Sequence, residues 1–258
     1  MSLDSEAAVT PGYAGRTALI TGGGSGIGRA IAVLLARRGM DVLVTGRRAE
    51  AVESTANLVP GIRPLAADVS SPADAQRAVR AAVAISRRLD LLVNNAAMLK
   101  PAPLGEIEPA TARQVWETNV LGPVLLTQAA LPHLVASKGA VINVSSTFGT
   151  KPAPGASQYG ASKAALEQLT RSWAVELAGR GVRVNAVAPG PTETEALGRS
   201  GLSPAEIGEI KARERDQIPL GRRGEPEDVA YWVAALAGPA ASWVTGQVIG
   251  VDGGYVLA

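Results

Sequence analysis

Thr21-Gly22-Gly23-Gly24-Ser25-Gly26-Ile27-Gly28 follows the apolar run Ala18-Leu19-Ile20 and opens a stretch, Ile27 to Leu35, whose apolar residues fall at helical spacing. Strand, glycine turn and helix in that order form the context of a dinucleotide-binding fingerprint. Glycines let the main chain turn tightly and approach a pyrophosphate. The helix beyond them offers unpaired N–H groups and the positive end of its dipole. Gly22, Gly26 and Gly28 stand as G-x-x-x-G-x-G, a departure from the common G-x-G-x-x-G. The bland alternative is a flexible turn, and the strand and helix on either side argue against it.

The same alternation continues through the chain. Short apolar runs at Thr17–Thr21, Asp41–Thr45, Arg63–Ala66, Leu89–Val93, Ala140–Val144, Arg183–Val187 and Gln247–Val251 predict strands. Amphipathic stretches near 27–38, 48–57, 72–86, 109–135, 157–179 and 226–237 predict helices. Continuous apolar strands separated by helices imply a parallel sheet covered on both faces, with right-handed crossovers. The expected fold is therefore α/β: one Rossmann-type, doubly wound sheet of seven parallel strands. In such a sheet ligands sit at the C-terminal strand ends. Residues 15–258 read as a single domain and 1–14 as a loosely held extension. Residues 191–221, with Pro191, Gly198, Gly201, Pro204 and Pro219 amid charge, read as a long loop with a helical hairpin, serving as a lid.

Composition narrows the function. The 258 residues are 47% hydrophobic and 19% charged, ordinary for a globular protein with a large core. A formal charge of +2 gives no basic stripe for nucleic acid or membrane. With no cysteine, disulfides and thiolate chemistry are excluded, and the single His133 excludes paired-histidine zinc motifs, so no metal site is expected. No apolar run approaches the ~18 residues of a membrane span. Met1-Ser2-Leu3-Asp4-Ser5-Glu6 lacks the basic start of a signal peptide, so a cytoplasmic location is expected.

A second constellation carries chemistry. Tyr159 and Lys163 are four residues apart in a predicted helix and share one face, and Ser146 stands thirteen residues upstream of Tyr159. A phenol with a pKa near ~10 is a poor acid at neutral pH, and a neighbouring cation favours the phenolate and lowers that value. Ser145 competes with Ser146 for the hydroxyl role, and the spacing favours Ser146.

With these motifs together, the chain resembles the short-chain dehydrogenases/reductases over residues 14–258. The motifs stand in family order: Thr21 to Gly28, Asp68-Val69, Asn94-Asn95-Ala96-Ala97, Asn119, Ser146, Tyr159-x-x-x-Lys163, Pro189-Gly190 and Asp252-Gly253-Gly254. Ala97 replaces the family's usual glycine, and would be strained if that position needs a positive φ. The resemblance implies hydride transfer between a nicotinamide and a carbonyl or alcohol carbon. Tyr159 would be the general acid–base group and Ser146 would hold the substrate oxygen. Lys163 would lower the Tyr159 pKa and bind the nicotinamide ribose, and Asn119 would place a relay water. Alternatively, Asn119 only stabilises a helix break. Gly22, Ser25, Gly26, Ile27, Gly28, Asn95, Ala96, Pro189 and Gly190 would form the cofactor cradle. Asp68 and Val69 would meet the adenine, or simply turn the chain at a strand end. Thr192 and Thr194 would meet the carboxamide and phosphates.

The end of the second strand reads the cofactor. An acidic residue there binds the ribose hydroxyl of NAD, whereas an arginine accommodates the extra phosphate of NADP. Gly46-Arg47-Arg48 occupies that place, so NADP(H) is expected; solvated helix-opening charges are the alternative. The wall Thr147–Pro154, with Phe148 its one aromatic, and the 191–221 loop suit an aliphatic or modest-sized ketone. The chain is similar to bacterial 3-oxoacyl-acyl-carrier-protein reductases and to sugar dehydrogenases of the same family. An acidic carrier protein would need a basic entrance, for which Lys138, Arg171 and Arg180 are candidates. Family members pair the helices at 109–135 and 157–179 between subunits, so a homotetramer is expected, with a dimer as the alternative. Two other functions stay open: an NAD-dependent sugar or alcohol dehydrogenase, and a nucleotide sensor that lost the chemistry.

Overall fold

Seven apolar runs form strands: β1 (Thr17–Thr21), β2 (Asp41–Gly46), β3 (Ile62–Ala66), β4 (Leu91–Asn94), β5 (Ala140–Val144), β6 (Arg183–Pro189) and β7 (Val248–Val251). All pair in parallel, in the order β3-β2-β1-β4-β5-β6-β7. This computed structural model describes residues 13–195, 198 and 203–258. The chain winds outward from β1 to β3, then returns to set β4 beside β1, with Leu19 opposite Leu92. That reversal opens a crevice at the C-terminal ends of β1 and β4, the place where doubly wound sheets bind ligands.

The helices are α1 (Gly26–Arg37), α2 (Ala49–Ala56), α3 (Pro72–Ser86), α4 (Pro109–Trp116), α5 (Gly122–Ser137), α6 (Ser157–Ala178), α7 (Pro204–Gln217) and α8 (Pro226–Ala237). Successive strand residues face opposite sides of a sheet. Ala18, Ile20, Val42 and Val44 accordingly pack under α1 and α8, while Leu19, Leu43, Leu92 and Val141 pack under α3, α5 and α6. Each buried Leu, Ile or Val contributes about 1.5–3 kcal/mol, so the two apolar layers fix which helix covers which face. On the face covered by α5 and α6 runs a buried polar ladder. Asn94 Nδ2 donates to Asn143 Oδ1 at 2.9 Å, and Asn143 Nδ2 donates to Thr170 Oγ1 at 2.8 Å. It ties β4 and β5 to α6 directly beneath the crevice.

Several expectations shift. The fourth strand begins at Leu91 rather than Leu89; just before it Asp90 N donates to Thr17 O at 2.9 Å, and the Asp90 carboxylate accepts from Thr17 N at 3.0 Å and pairs with Arg88. The expected helix at 109–135 is α4 and α5 joined by a five-residue π-turn, Glu117–Leu121. The stretch Pro109–Ser137 is also long and apolar enough to cross a membrane, contrary to the sequence expectation. Its apolar residues are interspersed with Thr127, Gln128 and His133, so no unbroken apolar run marks it in the sequence. Here Leu126, Ala130 and Leu134 pack against Ala75, Ala78 and Val79 of α3, as in a core helix. Of the expected extension 1–14 only Tyr13 and Ala14 are described. Tyr13 is buried rather than loose, and its hydroxyl donates to Ala234 O at 2.5 Å. The lid stretch contains α7, begun by a capping box in which Ser203 and Glu206 serve each other's main-chain N–H. Residues 196, 197 and 199–202 lie outside the described residues.

Candidate active site

The glycine turn after β1 is held by the strand beside it. Thr21 Oγ1 accepts from Asn95 N and Ala96 N, each at 3.0 Å, and Asn95 Nδ2 donates to Thr21 O at 2.8 Å and Gly22 O at 3.2 Å. Gly22 has φ +66°, and a Cβ there would lie 2.8 Å from Asn95 Nδ2. A Cβ on Gly28 would collide with Gly22 O and Asn95 Nδ2. The glycines are thus required by backbone conformation and close packing. The Asn95 side chain is spent on shaping this turn. Ala97 is not among the residues with positive φ, so alanine replaces the family glycine there without strain.

The turn forms the floor of a cleft of about 650 Å³ at the C-terminal strand ends. Every residue expected to bind the cofactor lines this one cleft: Gly22, Ser25, Gly26, Ile27, Gly28, Arg47, Arg48, Asp68, Val69, Asn95, Ala96, Tyr159, Lys163, Pro189, Gly190, Thr192 and Thr194. Thr194 stands across from the start of α1, and a Cβ on Gly26 would lie 3.1 Å from its Cγ2. Arg47 and Arg48 are exposed at the end of β2. Asp68 lines the cleft but also turns the chain, with Oδ1 accepting from Ser70 N at 3.0 Å and Ser70 Oγ at 2.7 Å. The strand-end turn is therefore seen directly, with the side chain also at the cleft edge.

At the inner end of the cleft stand Ser146, Tyr159 and Lys163. Ser146 Oγ accepts from Phe148 N at 3.2 Å, and its hydroxyl hydrogen-bonds the Tyr159 phenol. Phe148 sets its ring edge-on to Tyr159, with centroids 6.2 Å apart. Ser145 is excluded from the hydroxyl role by its partners: its Oγ donates to Glu167 Oε1 at 2.9 Å and contacts Lys163 O at 3.3 Å. Lys163 is 2% exposed, and its Nζ donates to Val144 O at 2.7 Å. Burial pulls the Lys163 ammonium down to about 8, against an opposing pull from Glu167.

The expected lowering of the Tyr159 pKa by Lys163 is absent from this geometry. Burial raises the phenol, and the opposing hydrogen bond comes from Ser146. The lysine nitrogen is directed at Val144 O and lies 5.6 Å from the ring centroid. Asn119 sits in the π-turn behind the cleft rather than in its wall. Its Oδ1 accepts from Met98 N at 2.7 Å, and its Nδ2 donates to Met98 O and Ser162 Oγ, both at 3.0 Å. The side chain is fully engaged in structure.

Of the expected wall at 147–154, only Phe148 lines the cleft. Lys151 reaches away, donating to Tyr255 O at 2.7 Å. The expected basic entrance is not there either. Lys138 and Arg180 just precede β5 and β6, at the opposite edge of the parallel sheet, and Arg171 pairs with Glu167 at 3.7 Å. The sequence reading missed Arg223, which is 8% exposed and lines the cleft. Its Nε pairs with Glu193 at 2.8 Å, its NH2 donates to Thr192 O at 2.7 Å, and it pairs with Glu214 of α7. This ion cluster fastens α7 to the loop after β6.

Residues 22–256 match the family model described as enoyl-(acyl carrier protein) reductase. The chain belongs to the short-chain dehydrogenase/reductase family. A 3-oxoacyl-acyl-carrier-protein reductase of Thermotoga maritima is 38% identical over 250 residues, covering 94% of this chain and 98% of that protein. A cis-4-hydroxycyclohexanecarboxylate dehydrogenase of Sinomonas cyclohexanicum is 41% identical, covering 94% and 97%. The crystal structure of a Brucella melitensis 3-ketoacyl-(acyl-carrier-protein) reductase complexed with NADH superposes with a TM-score of 0.87, at 33% identity, over 94% of this chain and 99% of that one. As a member of the short-chain dehydrogenase/reductase family, the chain is an oxidoreductase of carbonyl and alcohol groups. The seven-stranded Rossmann-type sheet agrees with its relatives.

Proposed function

We propose that the protein is a cytoplasmic, NADP(H)-dependent carbonyl reductase acting on a ketone, with 3-oxoacyl thioesters as the leading substrate class. One observation carries this reading: Ser146, Tyr159 and Lys163 converge at the inner end of a glycine-floored cleft that opens where the strand order reverses. The cradle fits a dinucleotide, because the glycine turn and the start of α1 line the cleft with main chain rather than bulky side chains. Main-chain N–H groups at the start of α1 and Thr194 across from them would hold the diphosphate. Arg47 and Arg48, free of any acidic neighbour at position 46, would hold the extra phosphate of NADP.

When bound, the nicotinamide supplies the hydride that reduces the carbonyl carbon. Ser146 donates a hydrogen bond to the substrate oxygen. Tyr159, kept protonated by burial, gives its proton to that oxygen as negative charge develops there. As Tyr159 gives up its proton, the Lys163 ammonium, held at Val144 O and 5.6 Å from the ring centroid before the reaction, would turn to the forming phenolate and stabilise it. With the Asn119 side chain engaged, its main-chain carbonyl in the π-turn is the group left to order a relay water.

Exposed Trp116 and Leu121 near α5, and Trp232, Trp243 and Leu257 at the other side, support assembly into a homotetramer. An NAD-dependent alcohol or sugar dehydrogenase is the second reading, favoured by the NADH held by the Brucella relative. The test is oxidation of NADPH and of NADH in the presence of β-ketoacyl thioesters, simple ketones, quinones and keto-sugars. The proposal expects turnover with a ketone or ketoacyl thioester and a higher kcat/KM for NADPH. A higher kcat/KM for NADH would overturn the cofactor assignment.

A further inference from the structure

Glu167 lies one helical turn beyond Lys163 on α6 and is 4% exposed. A carboxylate so buried needs partners. Three elements converge on it. From the end of β5, Ser145 Oγ donates to its Oε1 at 2.9 Å. From the turn after β5, Gly149 makes room, since a Cβ there would stand 2.5 Å from the same oxygen. From the next turn of α6, the half-exposed Arg171 approaches its Oε2 at 3.7 Å. Around Lys163 the other groups are neutral: the Tyr159 phenol, the Ser145 and Ser146 hydroxyls and the Val144 carbonyl. Glu167 stands four residues from Lys163 on α6, both are almost fully buried, and Ser145 Oγ reaches both Glu167 Oε1 and Lys163 O, so the carboxylate charge favours the Lys163 ammonium.

We propose that Glu167 is a positioning residue for this site, its carboxylate clamping the Ser145 end of β5 onto α6 and keeping the buried Lys163 ammonium charged. This inference rests on the reading of Lys163 as the group that stabilises the Tyr159 phenolate. Burial without Glu167 would deprotonate Lys163 at lower pH, and an uncharged amine cannot hold a phenolate. Arg171 competes for the same carboxylate from outside. Removing Glu167's charge and removing Arg171 must therefore move Lys163 in opposite directions.

The test follows the Lys163 side chain by NMR of protein carrying isotope-labelled lysine, alongside the pH profile of kcat/KM for reduction. Gln in place of Glu167 keeps an acceptor for Ser145 and loses only the charge. Glu167→Gln should lower the Lys163 titration midpoint by about one pH unit, the low end for loss of a neighbouring opposite charge. The alkaline limb of kcat/KM should move down with it, and Arg171→Ala should move both upward. An unmoved midpoint in Glu167→Gln, or shifts of the same sign in both variants, would overturn the proposal. A midpoint that moves while the alkaline limb stays would instead reject Lys163 as the phenolate partner, and with it any part for Glu167 in catalysis.

Discussion

Placing an aspartate at Gly46 should reverse the cofactor preference. Gly46 closes β2, directly before the exposed Arg47 and Arg48, and its φ is not in the left-handed region, so the backbone accepts a side chain. An added Cβ would lie 3.2 Å from Cγ1 of the buried Val52, which must yield by a few tenths of an ångström. The electrostatic effect is larger. A carboxylate about 5 Å from a phosphate bearing roughly −1.5 charges, at an effective dielectric of about 40, costs about 2.5 kcal/mol. That corresponds to roughly a 70-fold loss in kcat/KM for NADPH. The same carboxylate gains a charge-assisted hydrogen bond to the ribose of NADH, worth about 1.5 kcal/mol or more. The ratio of NADPH to NADH efficiency in Gly46→Asp should therefore fall by about three orders of magnitude. Steady-state kinetics with both cofactors and one ketone substrate measure it. An NADPH efficiency within twofold of wild type would refute the assignment of this strand end as the phosphate reader.

Two further outcomes follow. Arg223→Met removes a nearly buried guanidinium that ties Glu193, Glu214 and Thr192 together, so the variant should lose about 2 kcal/mol, or about 4–8 °C in Tm. Because Thr192 and Thr194 line the cleft, its cofactor KM should rise as well; calorimetry and cofactor titration check both, and an unchanged Tm would contradict the clamp. Sedimentation at micromolar concentration should give a tetramer, and a monomer alone would contradict the pairing of the exposed Trp116 and Trp243 faces.

The inner strands were legible because they are buried on both faces and read as apolar runs, unbroken at Ala18–Ile20 and interrupted only by Asn143 in β5, whereas the edge strands β3 and β7 are partly exposed. Strand ends were less legible: the main chain of Asp90 bonds to Thr17 O and Ala140 N at the margin of the ladder, and its carboxylate adds a bond from Thr17 N that no hydropathy pattern shows. The cleft residues stood out where chemistry forces a residue type, as with the colliding glycines and the Tyr159–Lys163 spacing. The arginines were not distinguishable. Arg222 and Arg223 are adjacent, yet one faces Asp228 at the surface and the other is buried against Glu193 and Glu214. Nor could spacing show which way a long side chain turns. Lys163 points to Val144 O, Lys151 points to the C-terminal segment, and the Asn119 amide is absorbed by Met98. Lys138 and Arg180 failed as an entrance for a topological reason: residues that precede strands fall at the edge of the sheet away from the cleft.

The central claim is that the Tyr159 phenol delivers the proton to the reduced oxygen. Its most direct test is Tyr159→Phe, with turnover followed by NADPH oxidation and cofactor affinity by fluorescence titration. Phe keeps the ring packed against Phe148 and removes only the hydroxyl. Loss of the general acid should lower kcat by about 1,000-fold or more, while the cofactor Kd stays within about threefold. A kcat within tenfold of wild type would contradict the account.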